Sequence, residues 1–350
     1  MDEITESTSP EAVKTDWQDL EKLMASVAKD QKPNRLHLLT EIFKSAIKLT
    51  KENPGTLNLK ITSSVLKELR FSFKMFYPHR FTPKITIFGS ARTPVDDPCY
   101  KIAKEFAALA VKKEYMVITG GGPGIMAAGN EGAEKGGFGL NIRLPFEQSP
   151  NPFIDPVNML INYKYFFTRK LFLVKEAAAF AFFPGGFGTF DEAFEVLTLL
   201  QTGKSNLFPV VLVEPKGVGF WQAFVDFLEK EVLPRGYISP SDSALYRICN
   251  TAQDALDEID KFYLVFHSMR FVRDQVVMRL KKKPSALVLK QIHEKFKSCS
   301  LDGKFALTGP LDEEGNEPEL EKFARLVFKA DRKDVASLRR LIDFINEKTV

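Results

Sequence analysis

A chain of 350 residues, 44% hydrophobic and 27% charged, has the balance of a globular protein and room for one large domain with additions or two to three small ones. A formal net charge of +4 gives no case for nucleic-acid binding, which needs clustered basic surface; the one basic block, Lys281-Lys282-Lys283, reads as a solvated helix end or loop. No apolar run is long enough to span a membrane, the start is polar, and Cys99, Cys249 and Cys299 stand isolated, so a reducing, cytoplasmic setting is expected, with no membrane or nucleic-acid partner and no disulfide framework or metal spacing.

Up to about Pro33 the chain is polar, with helical patterning at Trp17, Leu20, Leu23, Met24 and Val27. Leu36 to Leu49 and Ile61 to Phe76 carry two further amphipathic patterns, broken near Asn53-Pro54-Gly55. The pattern then changes. Lys84 to Gly89 predicts a short strand, and a helix follows from about Asp97 to Lys113. Tyr115 to Thr119 predicts a strand that enters Gly120-Gly121-Gly122-Pro123-Gly124 and a helix through Lys135. Strands are expected at Phe138 to Leu144 and Asn158 to Ile161, and a helix over about Tyr163 to Glu176. Phe180 to Phe183 is an apolar run of the kind buried in a parallel sheet; a helix from Gly188 to Thr202, a strand at Pro209 to Val213 and a helix over Phe220 to Leu233 follow. This alternation predicts a Rossmann-like, doubly wound α/β fold over residues 81–265, preceded by a helical extension (1–80) and followed by a small α+β appendage (266–350). In the appendage, Phe271 to Leu280, Lys304 to Leu307 and Ala324 to Phe328 are candidate strands, Ala286 to Phe296 and Val335 to Ile345 candidate helices, and Pro310 to Pro318 a polar loop.

Three turns rich in glycine or serine lie at predicted strand carboxyl ends, where ligands of such folds sit, and they are expected to converge on one cleft. They are Gly89-Ser90; Gly121, Gly122 and Gly124; and Pro184-Gly185-Gly186-Phe187-Gly188-Thr189. The last opens a helix, whose free N–H groups and positive dipole end suit a phosphate. Gly120 to Gly124 lacks both the Lys-Ser/Thr of a Walker loop and a G-x-G-x-x-G arrangement; alone, it is as readily a structural turn. Glu192, one helical turn beyond Gly188, would repel a phosphate placed beside it, so it points to a sugar carbon gaining positive charge. Arg169-Lys170 follows a segment with four aromatics between Tyr163 and Thr168, an unusual setting for a merely solvated basic pair. Glu147 and Asn151 follow the third strand, at a carboxyl end that favours a functional reading of an otherwise ordinary polar loop. The four histidines lie outside all these loops.

Pro184-Gly185-Gly186-Phe187-Gly188-Thr189-Phe190-Asp191-Glu192 resembles the P-G-G-x-G-T-x-x-E motif of the Lonely Guy (LOG) family. Arg169-Lys170 resembles its upstream Arg-Lys element, and Gly120 to Met126 its G-G-G-x-x-G-[LI]-M loop. The resemblance covers about Lys84 to Tyr263; the two extensions are similar to a longer bacterial subgroup. It implies hydrolysis of nucleoside 5′-monophosphates, cytokinin riboside monophosphates among them, to free base and ribose 5-phosphate. It implies Arg169 and Glu192 as the catalytic pair, phosphate held by Gly185, Gly186, Gly188 and Thr189, and a homodimer or larger homo-oligomer. No metal or organic cofactor is called for. Members were often labelled lysine decarboxylases, but nothing marks Lys170 or Lys175 as the activated amine that pyridoxal phosphate chemistry requires. The alternative from another class is a non-catalytic nucleotide-binding sensor or carrier using the same loops.

Overall fold

Alternating side chains on buried strands must find cover on both faces of a sheet, and here helices supply it. The computed structural model describes residues 17–27, 33–144, 149–314, 317–330 and 334–349. Contacts divide the chain into two units, Met1–Leu66 and Lys67–Val350. The first holds α1 (Trp17–Val27), α2 (Pro33–Glu52) and the start of α3 (Gly55–Phe76). Asn53 (φ 44°) and Gly55 (φ 81°) make the left-handed break between α2 and α3.

The second unit begins within α3 and continues through β1 (Lys84–Phe88), α4 (Pro98–Lys112), β2 (Met116–Thr119), α5 (Ile125–Ala133), β3 (Gly137–Ile142), β4 (Leu160–Tyr163), α6 (Phe166–Lys175), β5 (Ala179–Phe182), α7 (Phe187–Gln201), β6 (Val210–Val213), α8 (Phe220–Phe227), β7 (Arg247–Cys249) and α9 (Ala252–Phe262). These strands form one parallel sheet in the order β4-β3-β2-β1-β5-β6-β7. The order reverses between β1 and β5, which places a ligand crevice beyond their carboxyl ends. Ile85, Ile87, Ala179, Ala181, Phe183, Val211 and Val213 pack under α4, α5 and α9 on one face. Phe88, Phe180, Phe182 and Leu212 turn to the other face and meet α6, α7 and α8.

That second core runs on into an antiparallel sheet, so one apolar cluster underlies both sheets. The antiparallel sheet has the order β10-β11-β9-β8, from β8 (Phe266–Val272), β9 (Gln275–Leu280), β10 (Ala306–Thr308) and β11 (Ala324–Phe328), with α10 (Ala286–Lys295) after β9 and α11 (Val335–Lys348) last. The stretch Phe271 to Leu280, expected as a single strand, is a hairpin: Arg273 takes φ 55° and turns β8 into β9. No glycine marks that turn. The loop read as polar holds a buried carboxylate, Glu314, which accepts from Arg279 Nε (2.8 Å) and Arg325 Nε (2.9 Å). In α11, Asn346 accepts from the amides of Val265 and Phe266 (2.9 and 3.0 Å) and donates to Phe262 O (2.7 Å), fastening the last helix to the link between α9 and β8.

Candidate active site

The loops leaving β1 and β5 are tied by backbone bonds before any ligand enters. Ser90 N donates to Pro184 O (3.1 Å), and Ile125 N donates to Ser90 O (3.0 Å), so three strand ends share one knot. Several glycines exist to let these loops approach. A Cβ at Gly185 would stand 2.1 Å from Thr189 Oγ1 and 2.9 Å from Ser90 N; one at Gly124 (φ 64°) would stand 2.3 Å from Ser90 O; one at Gly89 would stand 2.7 Å from the Ile125 side chain. Gly186 and Gly188 are different. Nothing lies within 4 Å of a Cβ added to either, and neither has positive φ, so the protein's own packing does not demand glycine there. The open space lies at the start of α7. Thr189 N and Phe190 N both turn back to Gly186 O (3.0 and 3.1 Å), while the amides of Phe187 and Gly188 have no partner among the described residues. This is an anion cradle of the kind helix N-termini provide.

Helix α6 carries the guanidinium. Glu68 of α3 caps its start, accepting from Lys164 N (2.7 Å) and from the Thr168 hydroxyl. At its other end, Thr86 of β1 donates to Leu173 O (2.8 Å). Held at both ends, α6 points Arg169 across the carboxyl ends of β2 and β3, where Nε donates to Leu140 O (2.7 Å) and Nη2 to Gly120 O (3.3 Å). Gly120 is obligatory for this: a Cβ there would lie 2.2 Å from Nη2. Burial lowers the Arg169 pKa, and the Glu192 carboxylate works against that shift. Guanidinium remains a cation throughout.

Glu192 is buried on the first turns of α7, and its Oε2 has no hydrogen-bond partner among the described residues. Burial pushes its carboxyl pKa up to about 7; Lys170 and Arg169 pull it down, while Asp191 and Glu195 push it further up. A carboxyl group that titrates near neutrality in a cleft is a signature of proton-transfer sites.

Arg169, Gly186, Gly188, Thr189 and Glu192 line one cleft of about 730 Å³, together with Gly89, Ser90, Arg92, Gly120, Met126 and the rings of Phe88, Phe166, Phe187 and Phe190. That volume lies within the usual range for small-molecule sites. The other residues singled out from the sequence serve from behind. Lys170 turns away from the cleft and binds carboxylates: Asp191 at 2.7 Å, Glu195 at 3.0 Å and Glu192 at 3.7 Å. Asn151 is buried and braces the second loop, with N donating to Gly121 O (2.9 Å) and Nδ2 to Gly122 O (3.0 Å) and Asn130 Oδ1 (3.0 Å). Gly121, at φ 76°, donates to Thr119 Oγ1 (3.0 Å). Gly121, Gly122, Gly124, Gly185, Asn151 and Lys170 therefore shape the site rather than line it. Glu147 lies outside the described residues. Reading the sequence missed Gly120 and Arg92, although each sits in a loop already singled out. Among the described residues no group of three or more His, Cys, Asp or Glu is placed to hold a metal, and no helix is long and apolar enough to cross a membrane.

Comparison with known proteins bears on the same segment. The family profile described as "Possible lysine decarboxylase" matches residues 122–259, which include Arg169 and the whole α7 cradle. The chain is 27% identical over 192 residues to the probable cytokinin riboside 5′-monophosphate phosphoribohydrolase LOGL3 of Oryza sativa subsp. japonica, covering 54% of this chain and 87% of that one. The α/β core is similar to proteins of the Lonely Guy family. It is also 27% identical, over 174 residues, to the cytokinin riboside 5′-monophosphate phosphoribohydrolase LOG2 of Arabidopsis thaliana, with coverage of 49% and 78%. Among solved structures, the molybdenum cofactor binding protein from the phototrophic bacterium Rippkaea orientalis matches 51% of this chain and 96% of its own, at 20% identity and a TM-score of 0.37.

Proposed function

We propose that this protein hydrolyses the N-glycosidic bond of nucleoside 5′-monophosphates, releasing free base and ribose 5-phosphate. One observation carries the reading: Glu192, a buried carboxylate with one oxygen left without a hydrogen bond among the described residues, lines the same cleft as an unfilled helix-N-terminal cradle and the Arg169 guanidinium. The cradle suits the phosphate, and the aromatic rings offer a face to the base. As the C1′–N bond breaks, positive charge builds on the ribose, and a fixed carboxylate in a low-dielectric site stabilises it. Glu192 then takes a proton from water as the water oxygen bonds to C1′, and the departing base accepts that proton at nitrogen. Arg169, locked to two carbonyls, holds its remaining donors towards ribose or phosphate.

The test is a panel of nucleoside 5′-monophosphates incubated with the protein and resolved by chromatography. Free base and ribose 5-phosphate are expected, and Glu192→Gln should lower the rate by at least about 100-fold. Inorganic phosphate with intact nucleoside would mean a phosphatase. Binding without turnover in the wild-type chain would mean a sensor or carrier.

A further inference from the structure

Resting on that reading, we infer that Arg92 is the charge partner of the substrate phosphate and the residue that selects monophosphates over nucleosides. The cations lining the cleft are Arg92 and Arg169, and the acids are Asp191 and Glu192. Lys170, behind the cleft, pairs with Asp191, so Arg169 and Glu192 leave the cleft formally about neutral. A phosphate monoester brings about −1.5 to −2 at neutral pH, which helix-end amides, equivalent to about half a charge, do not balance. Arg169 is also partly spent, with Nε and Nη2 on Leu140 O and Gly120 O.

Arg92 is not spent. Its guanidinium has no ion pair or hydrogen bond among the described residues, and Asp97 of the same loop is occupied in capping α4 through Cys99 N (2.7 Å). The backbone of Arg92 is fixed nonetheless. Its amide donates to Ser90 Oγ (3.1 Å), and Ser90 is itself knotted to Pro184, at the entrance to the cradle. An exposed guanidinium on an anchored loop reaches into the cleft and meets phosphate oxygens through two parallel donors, the geometry in which arginine exceeds lysine.

The experiment measures binding and turnover separately on the full chain. Ribose 5-phosphate, ribose and inorganic phosphate are titrated calorimetrically against wild type, Arg92→Ala and Arg92→Lys, and the KM and kcat for a nucleoside 5′-monophosphate are measured beside them. Arg92→Ala should weaken ribose 5-phosphate binding and raise KM by about 10–100-fold, with most of the loss in KM. Arg92→Lys should recover part of it, and the difference between variants should shrink as salt rises. Unchanged melting temperatures exclude misfolding, since the side chain is exposed. Equal affinity of wild type and Arg92→Ala for ribose 5-phosphate overturns the inference, as does no measurable binding by wild type. The two readings separate cleanly. Release of base by a wild-type-like Arg92→Ala sinks the role of Arg92 alone, while Arg92-dependent binding without base release sinks hydrolysis alone.

Discussion

A carboxyl group titrating near 7 is about half ionised at neutral pH, so the chemistry proposed for Glu192 depends on pH in a definite direction. Under that proposal the ionised form is the active one, and kcat/KM should rise through about pH 7 to a plateau. Lys170 supplies the nearest cation, 3.7 Å from Oε2, and its charge lowers the Glu192 pKa. Lys170→Met should therefore move the rising limb of the pH profile to higher pH without removing the plateau; a stationary limb would take Lys170 out of the mechanism. The same burial acts on stability. Between the ordinary carboxyl value of 4.5 and about 7, the folded chain holds a proton that the unfolded chain has lost. This group's contribution is thus fully present below pH 4.5, declines as pH rises through that window, and leaves a deficit above it. Glu192→Gln should raise the melting temperature at pH 8, by an equivalent on the order of 1–3 kcal/mol, and the gain should vanish by about pH 5. An acid that merely complemented the helix dipole would give the opposite sign, a loss of about 0.3–1 kcal/mol on substitution. Thermal unfolding of both proteins across pH distinguishes the two.

At the level of elements, α7 has one face that packs and one end that waits. Gly186→Ala adds a methyl into space no protein atom occupies, so folding should be intact. Binding of ribose 5-phosphate or inorganic phosphate should fall about tenfold or more as the methyl fills the cradle. Undiminished affinity by calorimetry would show that the phosphate sits elsewhere. Much of this element was legible beforehand, because glycines followed by a hydroxyl and two acids at a strand end signal a helix opening onto a ligand. What the same glycines do individually was not legible. Gly120, Gly124 and Gly185 are required by contacts with Arg169, Ser90 and Thr189, residues brought near only by the sheet order. Lys170 looked like a ligand contact because it adjoins Arg169; the helical turn between successive residues sends it instead to the carboxylates of α7. Strand β7 escaped notice because it has three residues and begins with a half-exposed arginine. The pattern of α9, with Ala252, Ala255, Leu256, Ile259 and Phe262 on one buried face behind the Thr251 cap, was there to be read. The β8–β9 turn was not, since Arg273 adopts positive φ without a glycine or asparagine to announce it.

For the molecule as a whole, α6 and α7 leave Phe166, Phe167, Leu171 and Phe194 between 46% and 59% exposed, large apolar side chains on the two helices that carry Arg169 and Glu192. Gathered into one patch, such side chains mark an association site. A homodimer through these helices is expected by light scattering at micromolar concentration, and Phe167→Glu combined with Leu171→Glu should yield monomers. A wild-type monomer refutes the expectation. The unfinished hydrogen bonding of Glu192 has a further meaning on the timescale of descent. Random substitution tends to replace a buried, unsatisfied charge, since most exchanges there relieve desolvation. A lineage freed from its reaction would drift to a neutral residue at position 192 and become sturdier for it. An acid kept at this position across homologues would therefore be expected to be held there by chemistry rather than by folding.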